Sequence, residues 1–297
     1  MSATRSIRRR LPAAVLVVVL VAACGPAKKA PPQGCSRFVG VTGQVQSNEL
    51  TEISGIEAST VNPGVLWAHN DSGDSARVFA MAGDGRHLGW FGLAGAANVD
   101  WEALALGPGP VAGQSYLYAG DIGDNNHVRS SIVVYRVAEP AVDVNNPPGD
   151  GQTLGGVETF TLTYPDGAHD AEALLVDPAT GDVVIVTKEL SGPAGVYVRP
   201  APISNGPLTK HADLGVSLVT AGDITADGGT VALRTYGSVL LFTRAPGSSV
   251  ASALQSAPCT GASAPEPQGE AITFSPDGQA YATISEGVHP PINLFSR

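Results

Sequence analysis

A short signature recurs along the chain at nearly constant spacing, and it constrains the fold more than any other feature. In the segments DWEAL, DAEAL and QGEAI, a small or acidic residue leads into the glutamates Glu102, Glu172 and Glu270. Ser54 and Thr220 occupy the same position in two degenerate copies, so the steps are 48, 70, 48 and 50 residues. Each copy is followed by two further apolar runs and a weaker fourth. Four short strands in a unit of about 50 residues are typical of a β-propeller.

The sequence therefore predicts an all-β propeller with five blades of four short antiparallel strands. No stretch shows a sustained helical period, so the crossover helices of a parallel α/β fold are not expected. A β-sandwich is the main rival, but it does not explain acid-ended strands at one period. The longest step contains EPAVDVNNPPGDGQTLGG, residues 139–156, which is typical of an extended loop. A sixth, degenerate blade at this insertion is the alternative.

The two ends of the repeating region predict how the ring closes. The last unit ends at Arg297 after only three strands, whereas the apolar segment 37–45 precedes the first copy without a unit of its own. We expect this N-terminal strand to complete the last blade, which removes an exposed sheet edge. Cys35 and Cys259 would then lie on opposite sides of the seam. In an oxidising compartment they are expected to form a disulfide.

The N-terminus is expected to direct export. Four arginines precede a short apolar run in residues 1–23, which is typical of a secretory signal peptide. The ending Val-Ala-Ala-Cys resembles a bacterial lipobox, which implies cleavage before Cys24 and lipidation of its thiol. Residues 24–35 are a Pro- and Lys-rich tether, and residues 36–297 form a single propeller domain. We expect an exported protein that a lipid anchors to the outer face of the cytoplasmic membrane, in the cell envelope.

Charge limits the partners of such a protein. The whole chain carries a formal charge of −10, and without the four signal arginines 13 basic residues face 27 acidic ones, a net of −14. This charge repels nucleic acid, and no basic patch appears in the sequence, so a nucleic-acid partner is excluded. An acidic exported surface is a plausible site for divalent cations. A role of the negative charge in solubility alone explains the composition equally well.

The segments LWAHNDSGD, residues 66–74, and YLYAGDIGDN, residues 116–125, are similar strands that end in acidic loops. In a propeller they occupy equivalent positions in neighbouring blades and reach the same rim of the central channel. Oxygen ligands from several flexible loops suit Ca²⁺. The candidate metal ligands are Asp71, Asp100, Glu102, Asp121, Asp124, Asp170, Glu172 and Glu270. Each of these acids could instead cap a turn or bond to the backbone of the next blade.

A second set of rim residues is expected to contact a ligand. These residues are His69, Asn70, Lys188, Glu189, Arg234, Tyr236 and Glu286. Lys188 and Arg234 are either salt-bridge partners of the acids or a clamp for an anionic ligand. His69 is either a hydrogen-bonding turn residue or a general base. The sequence has no Gly-x-Ser-x-Gly elbow and no Cys/His cluster, so acyl transfer and a zinc site are not expected.

With its motifs SGIEAS, DWEALALGP and DAEALLVDPATGDVVIVTKE, the chain resembles a group of secreted bacterial propellers that are distantly similar to the phytase-like (esterase-like) class. The resemblance covers residues 52–296 and implies an acid-lined rim that holds Ca²⁺ ions against phosphate. The chain departs from that class in having few Lys and Arg residues at the rim. We expect a binding module for a small anionic ligand or an envelope protein. A Ca²⁺-dependent phosphate-ester hydrolase is the alternative, and a propeller glycosidase is a third hypothesis.

Overall fold

A computed structural model describes residues 35–297 of the protein. The predicted signal peptide, the lipidation site Cys24 and nearly all of the tether lie outside the described residues. The described part contains twenty-two strands and one short helix. Within it, no helix has both the length and the apolar character needed to cross a bilayer.

The elements follow one another in chain order. The first nine strands are β1 (Arg37–Gln44), β2 (Ile53–Ala58), β3 (Val65–Asn70), β4 (Arg77–Ala82), β5 (His87–Leu93), β6 (Trp101–Pro108), β7 (Ser115–Asp121), β8 (Ile132–Ala138) and β9 (Gln152–Leu154). The next nine are β10 (Glu158–Thr163), β11 (Ala171–Val176), β12 (Val183–Thr187), β13 (Ala194–Arg199), β14 (Gly206–Pro207), β15 (Thr209–Leu214), β16 (Val219–Ile224), β17 (Thr230–Thr235) and β18 (Val239–Thr243). The last elements are α1 (Val250–Ala253), β19 (Cys259–Gly261), β20 (Gly269–Phe274), β21 (Ala280–Ser285) and β22 (Pro291–Ser296).

The strands form five separate sheets, which confirms the five-blade propeller. The orders are β2-β3-β4-β5-β9, β6-β7-β8-β10-β14, β11-β12-β13-β15, β16-β17-β18-β19 and β20-β21-β22-β1. The four principal strands of each blade pair antiparallel, while the short β9 and β14 add parallel edge strands to the first two blades. The first strand of each blade, which we call its inner strand, packs against the inner strands of both neighbouring blades.

The alternative of a sixth blade is wrong. The insertion at 139–156 returns to the first blade instead of forming a blade of its own. The Val142 amide donates to Asn62 Oδ1 at 2.9 Å, the Gly149 amide donates to the Leu88 carbonyl at 3.1 Å, and β9 then pairs with β5. The insertion therefore covers the outer edge of the first blade. Strand β5 would otherwise expose unpaired backbone groups at that edge.

The N-terminal strand closes the ring as predicted. β1 pairs antiparallel with β22 and supplies the outer strand of the last blade. Cys35 and Cys259 form a disulfide with a Cα–Cα distance of 6.0 Å, and this bond joins the start of β1 to the outer strand of the fourth blade. Both predictions about the seam are confirmed.

The apolar core is divided into five clusters, one between each pair of adjacent blades. For example, Trp67 of the first blade and Trp101 of the second are fully buried in the same cluster. Burial of a large apolar side chain contributes about 1.5–3 kcal/mol, so each blade depends on two neighbours for its stability. A ring of mutually supporting blades holds the inner strands rigidly around the central channel.

Candidate functional site

Every inner strand carries a β-bulge at the repeat position. The bulge residues are Ser54, Glu102, Glu172, Thr220 and Glu270. A bulge leaves one residue without a partner in the ladder and re-aims its side chain. All five side chains are buried, and three of them are glutamates, which strands ordinarily disfavour. The sequence repeat therefore marks the point in each blade where a side chain turns away from the ladder.

Polar contacts hold these bulge residues both between blades and within a blade. Ser54 Oγ lies 2.8 Å from Glu102 Oε2 and donates a hydrogen bond to it. Glu172 Oε1 forms an ion pair with Lys188 Nζ, while Glu172 Oε2 is buried with no hydrogen-bond partner. A cavity of about 10 Å³ lies beside Ser54, Glu102 and Glu172, which is room for about one water molecule.

Three of the predicted metal ligands come together at the rim. One carboxylate oxygen each from Asp71, Asp100 and Glu102 lies within 4.8 Å of the others. Asp71 follows β3 of the first blade, whereas Asp100 precedes β6 and Glu102 is its bulge residue. The cluster, which we call the carboxylate triad, therefore spans two adjacent blades.

Asn98 fixes the two halves of the carboxylate triad relative to each other. Its side-chain amide donates to the Asp71 carbonyl at 2.9 Å, and its Oδ1 accepts the Trp101 amide at 3.1 Å. Asn98 thus bridges the acidic loop of one blade to the inner strand of the next. Sequence reasoning missed this residue, although an Asn three positions before a strand start is a recognisable turn signal.

Burial and like charges make the rim costly to ionise. Burial, with the nearby charge of Asp71, raises the pKa of Asp100 to about 6. Burial, followed by the charge of Glu172, raises the pKa of Glu102 well above its usual value. Burial raises the pKa of Glu270 to about 7, and Glu172 shifts in the same direction. An added cation would favour the ionised forms of all four groups.

Three of the other predicted metal ligands, Asp121, Asp124 and Asp170, hold loops. Asp121 accepts the amides of Val99 and Asp100 at 3.3 and 3.2 Å and pairs with Arg129 at 2.8 Å. Asp124 accepts the amides of Val128 and Arg129. Asp170 accepts the Asp124 amide at 2.8 Å, so it joins the loops of the second and third blades. The positions of Asp121, Asp124 and Asp170 are thus explained by contacts within the loops.

The two Asp-x-Gly-Asp loops are similar in sequence but use their glycines differently. Gly73 has a φ of +90° and open space around it, so its turn requires a residue that tolerates positive φ. Gly123 has a packing role, because a Cβ there would lie 2.5 Å from Asp100 Oδ2 and 2.7 Å from Glu102 Oε1. The second loop therefore contacts the carboxylate triad directly.

The residues predicted to contact a ligand are more dispersed. His69 is fully buried, its Nδ1 lies 2.8 Å from the Asn70 carbonyl, and burial lowers its pKa. Asn70 Oδ1 accepts the Thr51 and Glu52 amides at 3.1 Å. Both residues thus form part of the scaffold beneath the rim.

Arg234 is also buried. Its side chain is 2% exposed and pairs with Glu266, whose side chain is equally buried. Glu266 Oε1 also accepts hydrogen bonds from Thr283 and Asn293, both at 2.6 Å. Sequence reasoning missed Glu266, because it lies in an irregular Pro-rich segment that matches no repeat.

Lys188 is buried, whereas Glu189, Tyr236 and Glu286 are at least partly exposed. Lys188 Nζ is 5.1 Å from the centre of the Tyr236 ring, which is 36% exposed. Glu189 contacts Thr187 and His169 at 3.1 and 3.3 Å. Burial and the charge of Asp71 raise the pKa of Glu286. The structure therefore places one paired lysine and one accessible aromatic ring beside the acidic channel mouth.

Comparison with known proteins adds little to this description. No protein-family model matches the sequence, and no curated protein matches it. Among solved structures, a chain in the crystal structure of a nidogen/laminin complex is similar, with a TM-score of 0.47 and 11% identity. The alignment covers 80% of this chain and 73% of that chain. The propeller assignment rests on the five sheets themselves, and nothing about function is carried over.

Proposed function

We propose that this protein is a ligand-binding module of the cell envelope whose acidic rim binds Ca²⁺. The observation that carries the proposal is the carboxylate triad, in which oxygens of Asp71, Asp100 and Glu102 lie within 4.8 Å of one another. Burial and like charges oppose ionisation of Asp100 and Glu102. A divalent cation among the three groups would offset that repulsion.

The donor set favours Ca²⁺ over other common metals. All three groups offer oxygen, whereas zinc sites in proteins are built chiefly from His and Cys. Two of the three come from loop positions outside the strands, which suits the flexible six- to eight-fold coordination of Ca²⁺ better than the strict octahedron of Mg²⁺. Three carboxylates also leave coordination positions for other oxygens. An anionic ligand would bind through the ion, with its phosphate or carboxylate at those positions.

Among the described residues, no contact favours the alternative of a phosphate-ester hydrolase. That mechanism needs basic side chains that are free to hold the phosphate. Arg234 is buried, with Nη2 paired with Glu266 and with Nε and Nη1 lacking a partner, and Lys188 is paired with Glu172. We therefore propose binding rather than turnover.

Calorimetric titration of Ca²⁺ into the chelator-treated protein tests the metal site. We expect saturable binding that weakens about tenfold or more in Asp71→Asn, because affinity depends on the number of charged ligands. Asp74→Asn is the matched control, since Asp74 lies in the same loop but pairs with Arg77 at 2.8 Å. Absence of binding at millimolar Ca²⁺, or equal weakening in both variants, would contradict the proposal.

We further propose that a lipid on Cys24 anchors the propeller to the membrane, as the lipobox in the sequence suggests. The wild-type protein is then expected to enter the detergent phase in a phase-partition experiment and to carry acyl chains detectable by mass spectrometry. Cys24→Ser should move to the aqueous phase, because one thiol supports the whole anchor. Equal partitioning of the two proteins would refute the anchor.

A further inference from the structure

The five blades differ in how their outer edges are protected. In the first two blades, the short β9 and β14 cover the edges of β5 and β10. The edge strand β15 of the third blade carries the exposed charges of Lys210 and Asp213. The edge strand β19 of the fourth blade is only three residues long. Covered, charged or short edges are the usual protection against unwanted strand pairing.

The edge strand β1 of the last blade has little of this protection. It is eight residues long, and Arg37 is its single charged residue. Within residues 35–297, no strand pairs with its outer edge. Phe38, Val39 and Val41 are 52%, 56% and 56% exposed, and Val39 is a bulge residue that is skipped in the pairing with β22. A contiguous exposed apolar stretch of this kind indicates a surface that a partner covers.

The charge around β1 differs from that of the rest of the chain. Residues 24–48 contain Lys28, Lys29 and Arg37 and no Asp or Glu, whereas the chain without its signal peptide carries a net charge of −14. Basic residues beside apolar side chains fit the surface of a bilayer that contains anionic lipids. The same bilayer would repel the acidic remainder of the protein. Charge therefore favours a bilayer as the partner that covers β1.

The position of the proposed lipid anchor favours the same partner. Cys24 and Cys35 are 11 positions apart, so the chain between them spans at most about 40 Å. The disulfide holds Cys35 to the fourth blade, and β1 begins two residues later at Arg37. Because the disulfide prevents β1 from peeling away to lengthen the tether, the bilayer stays within reach of this strand.

We propose that β1 docks on the surface of an anionic bilayer, with Phe38, Val39 and Val41 at the boundary between headgroups and acyl chains and Arg37 among the headgroups. This inference rests on the proposed lipid anchor at Cys24. The unpaired backbone groups of β1 stay at the level of the headgroups, where water satisfies them, because the hydrocarbon core offers no hydrogen-bond partner. The lipid and the strand together determine which face of the propeller meets the membrane.

Quenching of tryptophan fluorescence by brominated lipids tests the docking in the lipid-anchored protein. Val39→Trp and a control, Val111→Trp, are reconstituted into vesicles that contain phosphatidylglycerol and carry bromine on their acyl chains. Val111 is a matched control, because it is 55% exposed and lies between β6 and β7 of the second blade, two blades away from the last one. After subtraction of the wild-type signal, we expect the added tryptophan of Val39→Trp to lose about half or more of its emission and that of Val111→Trp to lose none, because only the former reaches the acyl boundary.

The location of the protein separates failure of the docking from failure of the anchor. Unquenched Val39→Trp in the vesicle fraction would overturn the docking, leave the lipid anchor in place, and point to another occupant of the β1 edge, such as a second copy of this chain. Equal quenching at both positions would overturn the docking as well, since the domain would have no preferred face. Absence of the wild-type protein from the vesicles would contradict the anchor and the docking together. If Val39→Trp does not fold, Val41→Trp keeps the test valid, because Val41 is equally exposed.

Discussion

At the scale of single residues, the inner strands carry buried carboxyl groups that have few hydrogen-bond or ion-pair partners. Glu172 has one oxygen against Lys188 and the other without a partner, while Glu102 receives the Ser54 hydroxyl. Removing one member of a buried ion pair usually costs about 3–5 kcal/mol, whereas the intact pair adds little net stability. The Glu172–Lys188 pair therefore contributes little net free energy to folding.

Buried carboxyl groups with raised pKa values also predict how the folding stability depends on pH. Burial raises the pKa of Asp223 to about 7, and burial together with the charge of Asp223 raises that of Glu57. Between about pH 4, where an unfolded Asp releases its proton, and about pH 7, the folded state holds a proton that the unfolded state has lost. Folding stability should therefore fall as the pH rises through this window, by up to about 1.4 kcal/mol per pH unit for this group.

Thermal unfolding of wild-type protein and Asp223→Asn between pH 5 and pH 8 measures this effect. The variant loses an acceptor for one of two backbone amides, so we expect it to be less stable at every pH. Its melting temperature should nevertheless decline less between pH 5 and pH 8 than that of the wild type. Parallel profiles for the two proteins would show that Asp223 does not titrate in this window.

At the scale of elements, five bulged inner strands place similar sequence segments in equivalent positions, but the loops around them have diverged. Gly123 lies against the Asp100 and Glu102 carboxylates, whereas the corresponding Gly73 has open space. We expect Gly123→Ala to displace the carboxylate triad and weaken Ca²⁺ binding about tenfold or more. Gly73→Ala should lower the free energy of unfolding by only about 1–2 kcal/mol, because alanine is strained at a positive φ. The Ca²⁺ affinity of this variant should equal that of the wild type.

Calorimetry and urea unfolding of this glycine pair distinguish the two roles. The pair is well matched, because both glycines occupy the third position of an Asp-x-Gly-Asp loop. Equal Ca²⁺ affinities in the two variants would mean that Gly123 does not support the metal site.

The elements also show what the sequence could and could not predict. The bulge positions Glu102, Glu172 and Glu270 were predictable, because a glutamate repeated at the start of an apolar strand needs a structural reason. The pairing of Arg234 with Glu266 was not, since it depends on how a segment without a repeat packs against the fourth blade. The buried pair of Glu57 and Asp223 was also missed, because the two residues belong to different blades and only closure of the ring brings them together.

At the scale of the whole molecule, the ring depends on a closing strand that buries little surface. Phe38, Val39 and Val41 of β1 are more than half exposed, so pairing with β22 and the Cys35–Cys259 disulfide hold the seam. This bond joins residues 224 positions apart, so it closes a loop of about three-quarters of the 297-residue chain. Loss of such a bond typically costs about 2–5 kcal/mol.

The double variant Cys35→Ser/Cys259→Ser should therefore unfold at a clearly lower urea concentration than the oxidised wild-type protein. Reductant should lower the wild-type midpoint to that of the variant and leave the variant itself unchanged, which separates loss of the bond from any effect of the serines. Ca²⁺ affinity should be the same in both proteins under folding conditions, because the carboxylate triad lies between the first and second blades. Equal urea midpoints for the oxidised wild type and the variant would mean that β1 closes the ring through its hydrogen bonds to β22 alone.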